Sequence, residues 1–225
     1  MSAWKRRPVS PENPFNFQSV TYALAAFQRT LLSFNSPYDR FLAGDRTALS
    51  QSAQRGKELF FSEALECFHC HGGFNFTDSV DHATASLQQL GFHNTGLYNL
   101  DNDGSYPAGN QGLYEHTGDP EDKGRFRAPT LRNIAVTGPY MHDGSIATLG
   151  EVIDHYAAGG RTLTGTYAGV GAQNPHKSGF VAGFEITPED KAALVAFLEA
   201  LTDAAFLSDP RFANPFGPRM GGKLP

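Results

Sequence analysis

The stretch that decides the fold is residues 62–76, SEALECFHCHGGFNF, which holds both cysteines of the 225-residue chain. Cys67 and Cys70 are three positions apart, and His71 follows them directly. A C-x-x-C pair can be a thioredoxin-type redox site, half of a zinc site or a disulfide. With a histidine directly after it, the pair can also be the attachment point of a c-type haem.

The surrounding sequence weighs against the first two alternatives. A tetrahedral zinc site needs four ligands, and the chain has no second cysteine pair and no His-x3–5-His pair. A thioredoxin-like site needs a βαβ context, whereas these flanks are typical of a helix and a glycine-rich loop. Haem attachment uses all three residues, because Cys67 and Cys70 form the thioether bonds and His71 ligates the iron. We interpret the motif as a haem c site, with a buried or disulfide-bonded pair beside a surface histidine as the alternative.

Composition excludes several other classes of protein. Hydrophobic residues make up 40% of the chain and aromatic residues 12%, which is typical of a folded domain. No apolar run approaches the roughly 18 residues of a membrane helix, so no membrane span is expected. The formal charge of −5 comes without a basic stripe, so nucleic acid is not an expected partner. The start, MSAWKRRPVSPENPF, lacks the apolar segment of an export signal.

Apolar residues at helical spacing predict four helices. These cover residues 17–34, 45–62, 147–160 and 187–203. The last is the best marked, with Thr187 as N-cap and Pro188 at the first helical position. The residues predicted to face a core are Val20, Leu24, Phe27, Leu31, Ala48, Ala53, Leu59, Phe60, Leu149, Val152, Ile153, Tyr156, Leu194, Phe197, Leu198 and Leu201.

Residues 72–139 are rich in Gly, Asn, Asp and Pro, which predicts a long loop with short elements. So few helices cannot fill a hydrophobic core with their own side chains. A haem would fill the remaining apolar space. We therefore predict a mainly α fold, a cytochrome c-like haem domain with long irregular loops. The predicted segments are an extended lead at 1–16, an N-terminal helix segment packing on the haem domain at 17–45, the haem domain at 46–204 and an extended tail at 205–225.

The sixth iron ligand decides between electron transfer and chemistry at an open iron. Sequence spacing alone does not choose among the candidates. They are Met141, His142, His155, Tyr156, His93, His116, His82, His176 and Met220.

Three stretches closely resemble the C-terminal half of bacterial di-haem cytochrome c peroxidases, and most of all their MauG/MbnH-type branch. They are ALAAFQRTLLSFNSPYDRF, RGKELFFSEALECFHCHGG and GRFRAPTLRNIAVTGPYMHDGSIATLGEVIDHYAAGG. Ordinary members of the family have a methionine ligand fourteen residues after the histidine of the H-D-G turn. Here that histidine is His142, and the position holds Tyr156, as in the MauG-like branch. The resemblance therefore implies Tyr156 as sixth ligand, with Met141 as the fallback.

The resemblance also implies roles for other residues. It implies that His142 lies near the haem, between the two halves of the enzyme, where it relays charge or bonds a propionate. Thr137 and Pro139 match positions whose backbone oxygens help to hold a calcium ion. Three arginines lie in the segment that is expected to run beside the haem. They are candidates to bind the haem propionates, since guanidinium groups pair well with carboxylates. They are Arg125, Arg127 and Arg132.

The family has a second C-x-x-C-H motif in an N-terminal half, and this sequence has one motif only. The resemblance therefore implies one covalently bound haem c here and a second haem on a missing N-terminal half or partner chain. The activity implied is peroxide-dependent oxidation of tryptophan in a partner protein, and the expected location is the periplasm, where c-type haem is attached. The alternative is an autonomous mono-haem cytochrome c that exchanges electrons with a protein donor and has no enzyme activity.

Overall fold

The computed structural model describes residues 16–80 and 91–214. The chain divides into two compact units, residues 1–34 and residues 35–225. The predicted lead thus lies almost wholly outside the described residues. His82 and Met220, two of the candidate iron ligands, lie outside them as well.

The first unit contains one described helix, α1 (Phe17–Gln28). Asn16 caps it, because the Asn16 side chain accepts a hydrogen bond from the Ser19 amide at 2.9 Å. The helix ends at Gln28, six residues before the predicted end. It buries no residue, and the side chains predicted to face a core, Val20 and Leu24 among them, are 38–59% exposed.

The second unit is mainly helical, as predicted, with long irregular connections. Its helices are α2 (Pro37–Leu42), α3 (Gln51–Phe60), α4 (Cys67–Cys70), α5 (Tyr114–Thr117), α6 (Leu149–Ala157), α7 (Pro188–Glu199) and α8 (Ala204–Leu207). The irregular connections contain two antiparallel pairs of two-residue strands. They are β1 (Phe92–His93) with β2 (Phe126–Arg127), and β3 (Thr162–Leu163) with β4 (Gly169–Val170).

Local capping explains where the helices begin. In α7, Thr187 accepts a hydrogen bond from the Asp190 amide at 3.1 Å, and Pro188 occupies the first helical position. In α6, Thr148 and Glu151 form a reciprocal capping box. Helix α3 begins at Gln51 instead of residue 45, because Ser50 provides its cap.

Helices α3 and α7 pack directly on each other. Gly56 of α3 lies so close to α7 that a Cβ atom there would overlap the Ala193 carbonyl group. Only glycine allows this approach of the two main chains. The crossing brings the helix that precedes the C-x-x-C-H motif against the C-terminal helix.

An aromatic cluster forms the core beside this crossing. Tyr38, Phe60, Phe76 and Phe197 are 0–9% exposed, and their ring centroids lie 5.3–6.3 Å apart. A second, smaller cluster comprises Leu97, Tyr98, Tyr106 and Ile146.

Beyond α7, the described part of the predicted tail forms α8 and a single 3-10 turn at Pro210–Phe212. Within the described ranges, we find no helix with the length and hydrophobicity that a membrane crossing requires.

Candidate haem site

The C-x-x-C-H motif lies in the wall of a large apolar cavity. The cavity has a volume of about 660 Å³, and Cys67, Cys70 and His71 all line it. Apolar side chains from α3, α6 and α7 form much of the rest of the wall, among them Phe60, Ile153, Leu194 and Leu198. A flat, hydrophobic cofactor attached through both cysteines suits such a space.

The two cysteines form short helix α4 and are not joined in a disulfide. Helix α4 starts abruptly, because Glu66 before it has a left-handed backbone (φ 59°) and no side chain caps the first turn. Burial raises the pKa of both thiols to about 12, so both are protonated at neutral pH. Both sulfur-bearing residues thus lie beside the cavity, unpaired in this structure.

The His71 ring contacts backbone carbonyl groups. Its Nδ1 lies 3.3 Å from the Phe76 carbonyl oxygen, and the Pro129 backbone is a second hydrogen-bond partner. The tautomer that donates from Nδ1 to Phe76 has its lone pair on Nε2, as an iron ligand needs. Burial lowers the pKa of His71, so the ring stays neutral. A backbone carbonyl that orients a ligating histidine in this way is a common supporting contact at metal sites.

Tyr156 of α6 lines the same cavity as the motif. Helical spacing places it on one face with Val152 and near Ile153, which also line the wall. Burial raises the pKa of Tyr156 above its usual range, and the neighbouring Cys70 and Cys67 add to this shift. Tyr156 is half-buried in the cavity wall, in the same space as the C-x-x-C-H motif. This position is compatible with the predicted role of Tyr156 as an iron ligand.

The other described candidate ligands differ in whether they line this cavity. Met141, His142 and His93 line the cavity. His116 lies beside a second cavity of about 460 Å³, and His155 and His176 line neither. The buried His155 instead contacts the Thr95 carbonyl oxygen through Nε2 at 2.9 Å.

The ring of His142 stacks on Phe126, with centroids 3.8 Å apart and planes 12° apart. Burial lowers the pKa of His142, which keeps this ring neutral. The next residue, Asp143, accepts a hydrogen bond from the Tyr98 hydroxyl at 2.7 Å. The H-D-G turn is therefore tied to the second core cluster.

The three arginines predicted near the propionates are placed differently from one another. Arg127 lines the cavity and donates to the Ser79 carbonyl oxygen. Arg132 also lines it, but its guanidinium group forms a two-pronged pair with Asp39 at 3.0–3.1 Å. Arg125 lines the second cavity instead and lies 3.5 Å from Asp122.

Thr137 and Pro139, the predicted calcium residues, both line the cavity. Among the described side chains, two groups have the composition and spacing of a metal site. One is Cys70, Asp78 and His93; the other is Glu63, Glu66 and His69.

Sequence reasoning missed the contact between Asp78 and His93. The Asp78 carboxylate lies 2.5 Å from His93 Nε2, and His93 lines the cavity. It also missed Phe180, whose ring stacks on His69 of the motif at 4.4 Å. His93 was already a candidate ligand, but neither Asp78 nor Phe180 stands out in the sequence.

The fold and the cavity define a cytochrome c-like domain. A family model described as di-haem cytochrome c peroxidase, CCP_MauG, matches residues 2–47. Cytochrome-c peroxidase IdrP1 of Denitromonas iodatirespirans is 35% identical over 87% of this chain and 53% of its own length. Methylamine utilization protein MauG of Methylorubrum extorquens is 35% identical over 87% of this chain and 47% of its own length.

Solved structures agree with these matches. The crystal structure of a MauG-like protein associated with microbial copper homeostasis has a TM-score of 0.84 and 49% sequence identity. That match covers 90% of this chain and 62% of the other. The di-haem peroxidase BthA from Burkholderia thailandensis E264 has a TM-score of 0.55 at 23% identity, which is a likeness of fold.

The chain belongs with the di-haem cytochrome c peroxidases of the MauG kind, a family of proteins with covalently bound c-type haem. It spans about half the length of the curated relatives it matches. The resemblance read from the sequence is thereby confirmed, as is the cytochrome c-like fold.

Proposed function

We propose that this chain is the electron-transfer half of a peroxide-dependent di-haem oxidoreductase. One haem c would be bound through Cys67 and Cys70, with His71 and Tyr156 as the two iron ligands. When bound, the haem supplies a one-electron redox centre, and a phenolate ligand favours its oxidised states. The observation that carries this proposal is that Tyr156 shares one apolar cavity with the whole C-x-x-C-H motif.

The protein's own residues prepare the cavity for this group. The Phe76 carbonyl oxygen contacts His71, and the apolar wall would shield a bound haem from water. Arg127 is the best-placed partner for a propionate, because Arg132 is already paired with Asp39 and Arg125 lines the other cavity. His142 would lie beside the haem, held there by stacking on Phe126.

The partner in this proposal is an N-terminal haem half, on the same or another polypeptide, where hydrogen peroxide is reduced. The oxidising equivalents would then be shared with the haem described here and used to oxidise tryptophan in a partner protein. Thr137 and Pro139 would contribute backbone oxygens to a calcium ion between the two haem domains. The expected compartment is the periplasm.

To test this, the chain is produced with c-haem maturation machinery, and its absorption spectrum is followed after addition of peroxide. No change with the chain alone, and a change once the N-terminal haem half is added, is the expected result. A chain that cycles between ferrous and ferric states but does not respond to peroxide even with that half present would contradict the proposal. That outcome favours the mono-haem electron carrier.

A further inference from the structure

A series of aromatic rings leads away from the haem cavity. His142 and Phe126 line the cavity wall, and the Tyr106 ring centroid lies 5.9 Å from that of His142. The Tyr98 ring follows at 5.3 Å from Tyr106, and Tyr167 follows at 5.9 Å from Tyr98. Each ring is therefore in contact range of the next.

The exposure of these tyrosines increases along the series. Tyr106 is 2% exposed, Tyr98 is 8% exposed and Tyr167 is 48% exposed. We call Tyr106, Tyr98 and Tyr167 the tyrosine relay. It joins the wall of the cavity to the protein surface through phenol side chains that can each lose one electron.

Hydrogen bonding separates the relay from ordinary aromatic packing. A phenol that loses an electron becomes strongly acidic, and it needs a proton acceptor within hydrogen-bond reach. The Tyr98 hydroxyl donates to the Asp143 carboxylate at 2.7 Å, and Arg161 lies 3.8 Å from the same carboxylate. The buried Tyr106 hydroxyl donates to the Asn94 side-chain oxygen at 2.9 Å. Tyr98 is therefore the position best equipped to be oxidised and restored.

We propose that the tyrosine relay carries single electrons from the protein surface at Tyr167 to the haem, an inference that rests on the proposed function. In each passage, one electron leaves an oxidisable aromatic side chain of the partner protein and enters the oxidised haem. The Tyr98 proton moves to Asp143 when Tyr98 is oxidised and returns when Tyr98 is reduced. The terminal oxidant is hydrogen peroxide, which accepts the electrons at the second haem of the complete enzyme.

The test uses the haem-loaded chain and needs neither peroxide nor the second haem. Thr166, an exposed neighbour of Tyr167, is changed to cysteine, and a ruthenium polypyridyl complex is attached to the new thiol. The haem is first reduced. A laser flash with a soluble oxidative quencher then creates ruthenium(III) beside Tyr167, and the haem absorption band reports the oxidation of ferrous to ferric iron.

Three further variants are made in this labelled background. Tyr167→Phe and Tyr98→Phe keep the rings but remove the oxidisable phenols, and each should slow haem oxidation by about tenfold or more, because the barrier rises when a step is lost. Tyr114→Phe is the matched control, since Tyr114 lies outside the relay, and it should keep the parent rate. Unchanged haem spectra and thermal unfolding show that each variant is folded.

Equal rates in the parent, Tyr167→Phe and Tyr98→Phe would overturn the relay. A slow rate in the two relay variants with a normal rate in Tyr114→Phe supports it. Failure of the proposed function is separately visible, because it appears as the lack of a peroxide response with the N-terminal half present, a measurement that the flash experiment does not include.

Discussion

Gly56 and Ala193 are in direct main-chain contact where α3 crosses α7, and a Cβ atom on Gly56 would overlap the Ala193 carbonyl group. The contact positions the two helices whose side chains Phe60, Leu194 and Leu198 line the haem cavity. Stability of the crossing and the shape of the site therefore depend on the same glycine.

Gly56→Ala should destabilise the protein. Alanine gains up to about 1 kcal/mol in helix propensity, but overpacking against a main chain costs about 1–3 kcal/mol or more. Because the overlap is with main-chain atoms, the cost lies at the upper end of its range. Subtracting the gain leaves an expected net loss of about 2 kcal/mol in the free energy of unfolding. Urea unfolding of the haem-loaded protein measures it. Gly179→Ala is the control, because a Cβ there meets nothing within 4 Å, and a loss of equal size in both variants would contradict this account.

Arg132→Met should be costly, because it leaves the largely buried Asp39 carboxylate without its partner. The two side chains are 8% and 14% exposed, and breaking such a pair typically costs about 3–5 kcal/mol. The pair Arg211 and Asp209 provides the comparison, since the Arg211 side chain is 77% exposed and water screens its attraction to the carboxylate. Urea unfolding curves for Arg132→Met and Arg211→Met should differ accordingly. Similar small losses in both would refute the structural importance of the first pair.

The same ion pair predicts a pH dependence of stability. Burial alone would raise the pKa of Asp39, but hydrogen bonds from Arg132 and Ser36 hold it below its usual range. The unfolded state, with a pKa near 3.9, therefore takes up the proton first as the pH falls. The stabilisation is complete above about pH 4 and is lost as the pH falls through the folded pKa. Asp39→Asn should flatten this acid limb of the stability curve, and an acid limb as steep as the parent's would show that Asp39 is not responsible.

Cys67→Ala should retain one thioether bond, through Cys70, and lose stability on the order of 2 kcal/mol, as when another covalent cross-link is removed. Acidified organic solvent, which extracts haem that is not covalently bound, should leave the haem on this variant. The double variant Cys67→Ala/Cys70→Ala should release it, because the chain has no other cysteine. Covalent haem in the double variant would show that attachment occurs elsewhere.

Local sequence patterns were enough to predict the start of α7, because Thr187 and Pro188 are adjacent capping signals and the structure has this cap. They did not place the start of α3, which begins at Gln51 and not at residue 45. The role of Tyr156 as an iron ligand was implied by family resemblance alone, since a tyrosine on an apolar helix face is otherwise typical of a core.

Contacts between distant parts of the chain could not be predicted in this way. Arg132 and Asp39 are 93 positions apart, and Gly56 and Ala193 belong to different helices. For the apolar stripe of α1, the sequence predicts the helix but not its surroundings. Its spacing correctly predicts a helix, but periodicity does not tell which surface covers a stripe, and Leu24 is 59% exposed.

In the proposed function, His71 and Tyr156 ligate one covalently bound haem. The most direct test is the near-infrared absorption of the ferric, haem-loaded chain, compared between the parent and Tyr156→Phe. We predict that the parent lacks the iron–methionine charge-transfer band and that Tyr156→Phe keeps the haem but changes to the spectrum of an open sixth site. A methionine band in the parent, or identical spectra for the two proteins, would contradict it.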